Sequence, residues 1–122
     1  MNTEEKTIDI CDEPQVSAMC RQALLTYLPR LIGDKLPYMA CVSWDSPTDI
    51  PTKYLPHILI VAPGKDGHRW PIIEKAKALG INVVVWSGDP ANAERASGIG
   101  ALFQEKKEGS KPLVELIVPF LK

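Results

Sequence analysis

His57-Ile58-Leu59-Ile60-Val61-Ala62, closed by Pro63-Gly64-Lys65-Asp66-Gly67, is the stretch that decides the fold. A strand wetted on one face alternates apolar and polar residues. This run does not alternate, so both of its faces are covered, as in a parallel sheet sandwiched by helices. The Pro/Gly-rich segment after it reads as a turn. Beyond the turn, Pro71 to Leu79 carries a helical pattern with Gly80 at its C-terminal cap. Ile81 to Trp86 (INVVVW) then repeats the both-faces-buried strand.

The same alternation extends outward in both directions. Toward the N-terminus, Tyr38 to Trp44 reads as a strand and Thr7 to Ile10 as another. Between them Val16, Met19, Cys20, Ala23, Leu24, Tyr27 and Leu28 recur at helical spacing, with Pro14 suited to the first turn. Pro29 and Gly33 are expected to end that helix. Pro47, Pro51 and Pro56 interrupt the next connection, so a helix there is short or absent. Toward the C-terminus, Asp89-Pro90 signals a helix running to about Ser97, and Ala101 to Gln104 a short fifth strand. Leu113, Leu116, Ile117, Phe120 and Leu121 mark a last helix that Pro119 shortens or bends. Five strands alternating with helices imply one α/β domain over residues 1–122. The expected architecture is a three-layer α/β/α stack with a five-stranded parallel sheet in the flavodoxin-like order 2-1-3-4-5. Its working crevice should lie at the carboxyl ends of the strands, beside the first and third.

Composition narrows the function classes. A formal net charge of −1 over 122 residues gives no electrostatic case for nucleic acid, membrane or acidic substrates. No apolar run approaches the roughly 20 residues of a membrane helix, and MNTEEKTIDI has no apolar core of a signal peptide. Cys11, Cys20 and Cys41 form no CxxC pair, and their odd number argues against a disulfide framework. These features point to the cytosol. His57 and His68 have no cysteine at zinc spacing, so no metal site is expected. No phosphate-binding glycine loop or nucleophile elbow is present, and no cofactor is expected.

The motifs, in order, resemble those of the receiver domain of bacterial response regulators (the CheY-like fold). Ile10-Cys11-Asp12-Glu13-Pro14 resembles the acidic opening after that family's first strand. Pro56 to Val61 resembles its third strand, and Pro63-Gly64-Lys65-Asp66-Gly67 the turn into its third helix. Val85-Trp86-Ser87 resembles the fourth strand with its terminal hydroxyl, and Phe103-Gln104-Glu105-Lys106 the aromatic-x-x-Lys of the fifth. In such receivers an aspartate at the end of the third strand attacks the phosphoryl donor. Here that place holds Ala62, whose methyl group cannot be a nucleophile. About three residues before the Pro-Gly turn are also missing relative to the family. The acidic pair is reduced to Cys11 and Asp12, with Glu13 behind it, a thin carboxylate set for Mg²⁺. Counting strictly from Gly98 puts Glu105 at the family lysine's place, and a Lys-Pro pair occurs at Lys111-Pro112. The aromatic spacing favours Lys106.

The resemblance therefore implies a degenerate receiver, a pseudo-receiver with no phosphorelay chemistry. Its site remnant would comprise Cys11, Asp12, Glu13, Ala62, Ser87 and Lys106, with Phe103 as the switch aromatic. It would be no enzyme, but a protein-interaction module in two-component signal transduction, leaving open a homodimer. Glu94, Arg95 and Lys106 form the expected partner surface, with Arg95 and Lys106 exposed to solvent. Two other readings stand beside it: a small-ligand sensor using the altered crevice, and a phosphorelay receiver with Asp66 as acceptor. Trp44, Trp70 and Trp86 are all expected near the crevice end, as packing volume before a ligand-stacking cluster. Asp66-Gly67-His68 resembles the Asp-x-His of cobalamin-binding domains, but Pro71 stands where that motif has glycine, and the reading is rejected.

Overall fold

The computed structural model describes residues 6–122. Its elements are β1 (Thr7–Cys11), α1 (Pro14–Ile32), β2 (Tyr38–Cys41), β3 (Ile58–Val61), α2 (Trp70–Ala78), β4 (Asn82–Ser87), α3 (Asn92–Gly98), β5 (Leu102–Glu105) and α4 (Lys111–Leu121). Every neighbouring pair of strands is parallel, and the order is β2-β1-β3-β4-β5. This is the expected three-layer α/β/α architecture.

The pleat explains why the decisive run could be unbroken. Ile58 and Ile60 point to one face of the sheet, where Cys20, Leu24 and Leu28 of α1 and Leu113, Val114 and Ile117 of α4 cover them. Leu59 and Val61 point to the other, against Trp70, Ile72, Ile73 and Ala76 of α2 and Ala96 of α3. All four residues of β3 are buried.

No α-helix joins β2 to β3. Three prolines in that connection leave only a 3₁₀ turn, Pro47–Asp49. Asp49 accepts from the amides of Asp45 and Ser46, at 2.9 and 3.1 Å, which fixes the turn. Trp44 and Ile50 from this segment are buried, 8% and 3% exposed, and complete the apolar layer beside α2.

Several boundaries depart from the sequence reading. Helix α1 runs through Pro29 to Ile32 and ends at Gly33, whose φ of 84° is open to glycine. Pro29 is exposed, so the missing amide hydrogen bond faces water. Strand β2 stops at Cys41, and Trp44 lies in the following segment. Helix α3 begins at Asn92, because Asp89 caps a preceding turn through Ala91 N at 3.0 Å. Pro119 falls in the last turn of α4, which continues to Leu121. Among the described residues no helix is long and apolar enough to cross a membrane.

Candidate functional site

At the carboxyl ends of β1, β3, β4 and β5 the connections part and leave a crevice of about 450 Å³. Its walls are Asp12 and Glu13 after β1, Ala62 to Lys65 with Gly67 and Arg69 after β3, Ser87 to Asp89 with Asn92 after β4, and Lys106 after β5. A parallel sheet creates this opening, because adjacent connections leave toward opposite layers.

The centre of the site is an ion pair. Lys106 Nζ lies 2.8 Å from Asp12 Oδ2, joining the ends of β1 and β5 across the sheet. The Asp12 side chain is only 4% exposed and that of Lys106 28%. The other Asp12 oxygen, Oδ1, accepts from the Glu13 amide at 2.7 Å. Lys106 also sits 5.3 Å from the centroid of the Trp86 ring, a cation–π contact that further anchors its ammonium. Lys106 is therefore drawn inward, which corrects the expectation that it lies on an open partner surface. Neither Glu105 nor Lys111 lines the crevice.

Ser87 is 6% exposed and organises the β4 side. Its hydroxyl oxygen accepts from the Asp89 amide at 3.0 Å and from Asn92 Nδ2 at 2.8 Å. On the β3 side, Ala62 is 5% exposed and presents only a methyl group. Arg69 Nη1 donates to the Ala62 carbonyl at 3.1 Å, bringing its guanidinium back over the turn. Gly64 makes that turn possible, since its φ is +91° and an added Cβ would collide with the His68 ring.

Other residues grouped by the sequence are separated in space. Cys11 points into the apolar layer beside Trp44, whose carbonyl its thiol approaches at 3.9 Å, and does not line the crevice. Burial pushes the Cys11 thiol up and the Cys20 thiol to about 12, so neither is a ready nucleophile. Phe103 is half-buried against the α2/α3 layer. Trp44 and Trp70 lie in one core and Trp86 in the other, so near the crevice end of the sheet all three serve as packing volume and none lines the crevice. Asp66 is exposed on the turn, outside the crevice lining. His57 accepts from the Thr7 amide at 3.2 Å, at the opposite end of the sheet. Among the described residues no group of three or more His, Cys, Asp or Glu could hold a metal ion.

On α3, Glu94 is exposed, whereas Arg95 is engaged. The Arg95 guanidinium stacks 4.5 Å from the Trp70 ring centroid and pairs with Glu74 at 3.6 Å, although its side chain stays 56% exposed. Lys65, Arg69, Asp89 and Asn92 are among the crevice residues that sequence reasoning did not assign to the site. Asn92 stands five residues past Ser87, and that spacing across a turn is its one signal. Arg69 carried none, being an ordinary basic residue ahead of a helix. Compared with protein-family models and with curated proteins, the chain matches none.

Proposed function

We propose that this chain is a degenerate receiver-type domain. It works as a phosphorylation-independent protein-interaction module of a signal-transduction pathway, with no enzymatic activity of its own. The observation that carries the reading is the closed Asp12–Lys106 pair beside the methyl group of Ala62. The strand end to which the resemblance assigns the nucleophile offers no atom that can attack phosphorus. The buried carboxylate that would anchor a metal is already neutralised by Lys106 and bonded to the Glu13 amide. A partner would read the fixed surface of α3 and the β5 end, with Glu94 and Arg95 as its first contacts. The free cysteines Cys11, Cys20 and Cys41 support a cytosolic setting.

Affinity capture of the partner, with the bait treated or untreated with acetyl phosphate and Mg²⁺, tests the reading. The same protein should be retained equally in both arms. Retention only after phosphodonor treatment would contradict it. A small-ligand role is favoured by the crevice itself, about 450 Å³ in volume with charged side chains in its wall. The third reading, phosphoryl acceptance at Asp66, has no support from the geometry, because no crevice residue reaches that turn position by a hydrogen bond or ion pair among the described residues.

A further inference from the structure

We propose that the crevice is a binding site for a small organic carboxylate, with the Arg69 guanidinium and the Ser87 hydroxyl as its donors. Lys106 is committed to Asp12, and Asp89 Oδ1 to the Ala91 amide. Ser87 is different. Its oxygen already accepts two hydrogen bonds, from Asp89 N and Asn92 Nδ2, which occupies both lone pairs. What remains is its O–H, which has no acceptor among the described residues although the side chain is buried. Arg69 is in a similar position. Of its five N–H donors, one is used on the Ala62 carbonyl at 3.1 Å, and it has no acidic partner among the described residues. Both residues line the same cavity, with the short Ala62 side chain in its wall between the β3 and β4 ends.

Charge selects the class of anion. The lining carries three acids, Asp12, Glu13 and Asp89, and three bases, Lys65, Arg69 and Lys106. A dianion would meet a wall with no net positive charge to offset it. A monoanionic carboxylate needs only one planar guanidinium fork and one hydroxyl, which the site supplies. Size selects an organic molecule over a bare ion. A volume of about 450 Å³ falls in the range of roughly 300–1,000 Å³ typical of small-molecule sites. The inference rests on this geometry and not on the interaction reading, so either can fail without the other.

An amide NMR titration of the full chain tests it, with acetate, propionate and inorganic phosphate as separate probes at constant ionic strength. Acetate or propionate should shift the amides of Gly64, Gly67, Ser87 and Gly88 saturably. Arg69→Gln should weaken the binding about tenfold, the loss expected for a hydrogen bond to a charged group. Ser87→Ala should weaken it by a smaller factor, which keeps the test alive if the arginine variant folds poorly. Lys77→Gln, a lysine outside the crevice lining, should bind as the parent does. Absence of saturable shifts, or undiminished binding by a folded Arg69→Gln, overturns the site. Saturation by phosphate without saturation by either carboxylate overturns the ligand class.

Discussion

Replacing Asp9 by asparagine should stabilise the protein at neutral pH. Asp9 lies in β1 between Ala40 of β2 and Leu59 of β3, and it shares a sheet face with buried Cys11. Its carboxylate makes no hydrogen bond or ion pair among the described residues. Burial alone raises its pKa from 3.8 to about 6. A carboxyl group with a raised folded pKa binds its proton more tightly when folded. The cost of ionising it therefore opens above the unfolded value of 3.8, grows with pH, and is complete above about 6. Each pKa unit is worth about 1.4 kcal/mol, so the full separation corresponds to about 3 kcal/mol. Asp9 keeps part of its contact with water, and screening reduces this to about 1 kcal/mol. Asp9→Asn should recover that amount at pH 7, raising Tm by about 3–5 °C for a chain of this size. At pH 4.5 most of the gain should vanish, because the parent carboxyl is then largely protonated in the fold. Urea melts at the two pH values measure it. A variant that is neutral or destabilised at pH 7, or equally stabilised at both, refutes the reasoning.

Three other substitutions probe the site and its frame. Lys106→Met should cost about 2 kcal/mol by leaving buried Asp12 unpaired, less than the roughly 3–5 kcal/mol of a fully buried pair because Lys106 keeps some water contact. Adding Asp12→Asn should return much of that loss in denaturant melts, the signature of a coupled pair. Arg95→Glu should lower stability by about 1–2 kcal/mol in thermal melts, since it loses the Trp70 stack and faces Glu74. Gly64→Ala should cost about 1–3 kcal/mol in urea melts, combining positive φ with the approach of the His68 ring.

The parallel sheet was legible because β3 and β4 are apolar on both faces, a pattern that little but a covered central strand produces. Five alternating units suggest the flavodoxin-like order, which the sheet adopts. Pro29 does not end α1, and α4 continues two residues past Pro119. An exposed or terminal helical position loses little by giving up one amide hydrogen bond. Trp44 lies beyond the end of β2 and fills the apolar layer that a helix would otherwise cover. In the site, Asp12, Ser87 and Lys106 announced themselves by lying at strand ends. Cys11 sits next to Asp12 in sequence, but adjacent strand residues face opposite layers, so it turns into the core. Arg69 could not be foreseen, because its placement depends on a carbonyl seven residues earlier that the folded turn brings within reach.

The most direct test of the central proposal, that the crevice does not accept a phosphoryl group, is the intact mass of the protein after incubation with acetyl phosphate and Mg²⁺. With Ala62 in place of a nucleophile and Asp12 held by Lys106, the mass should stay that of the unmodified chain. A single phosphoryl adduct in good yield would contradict the account.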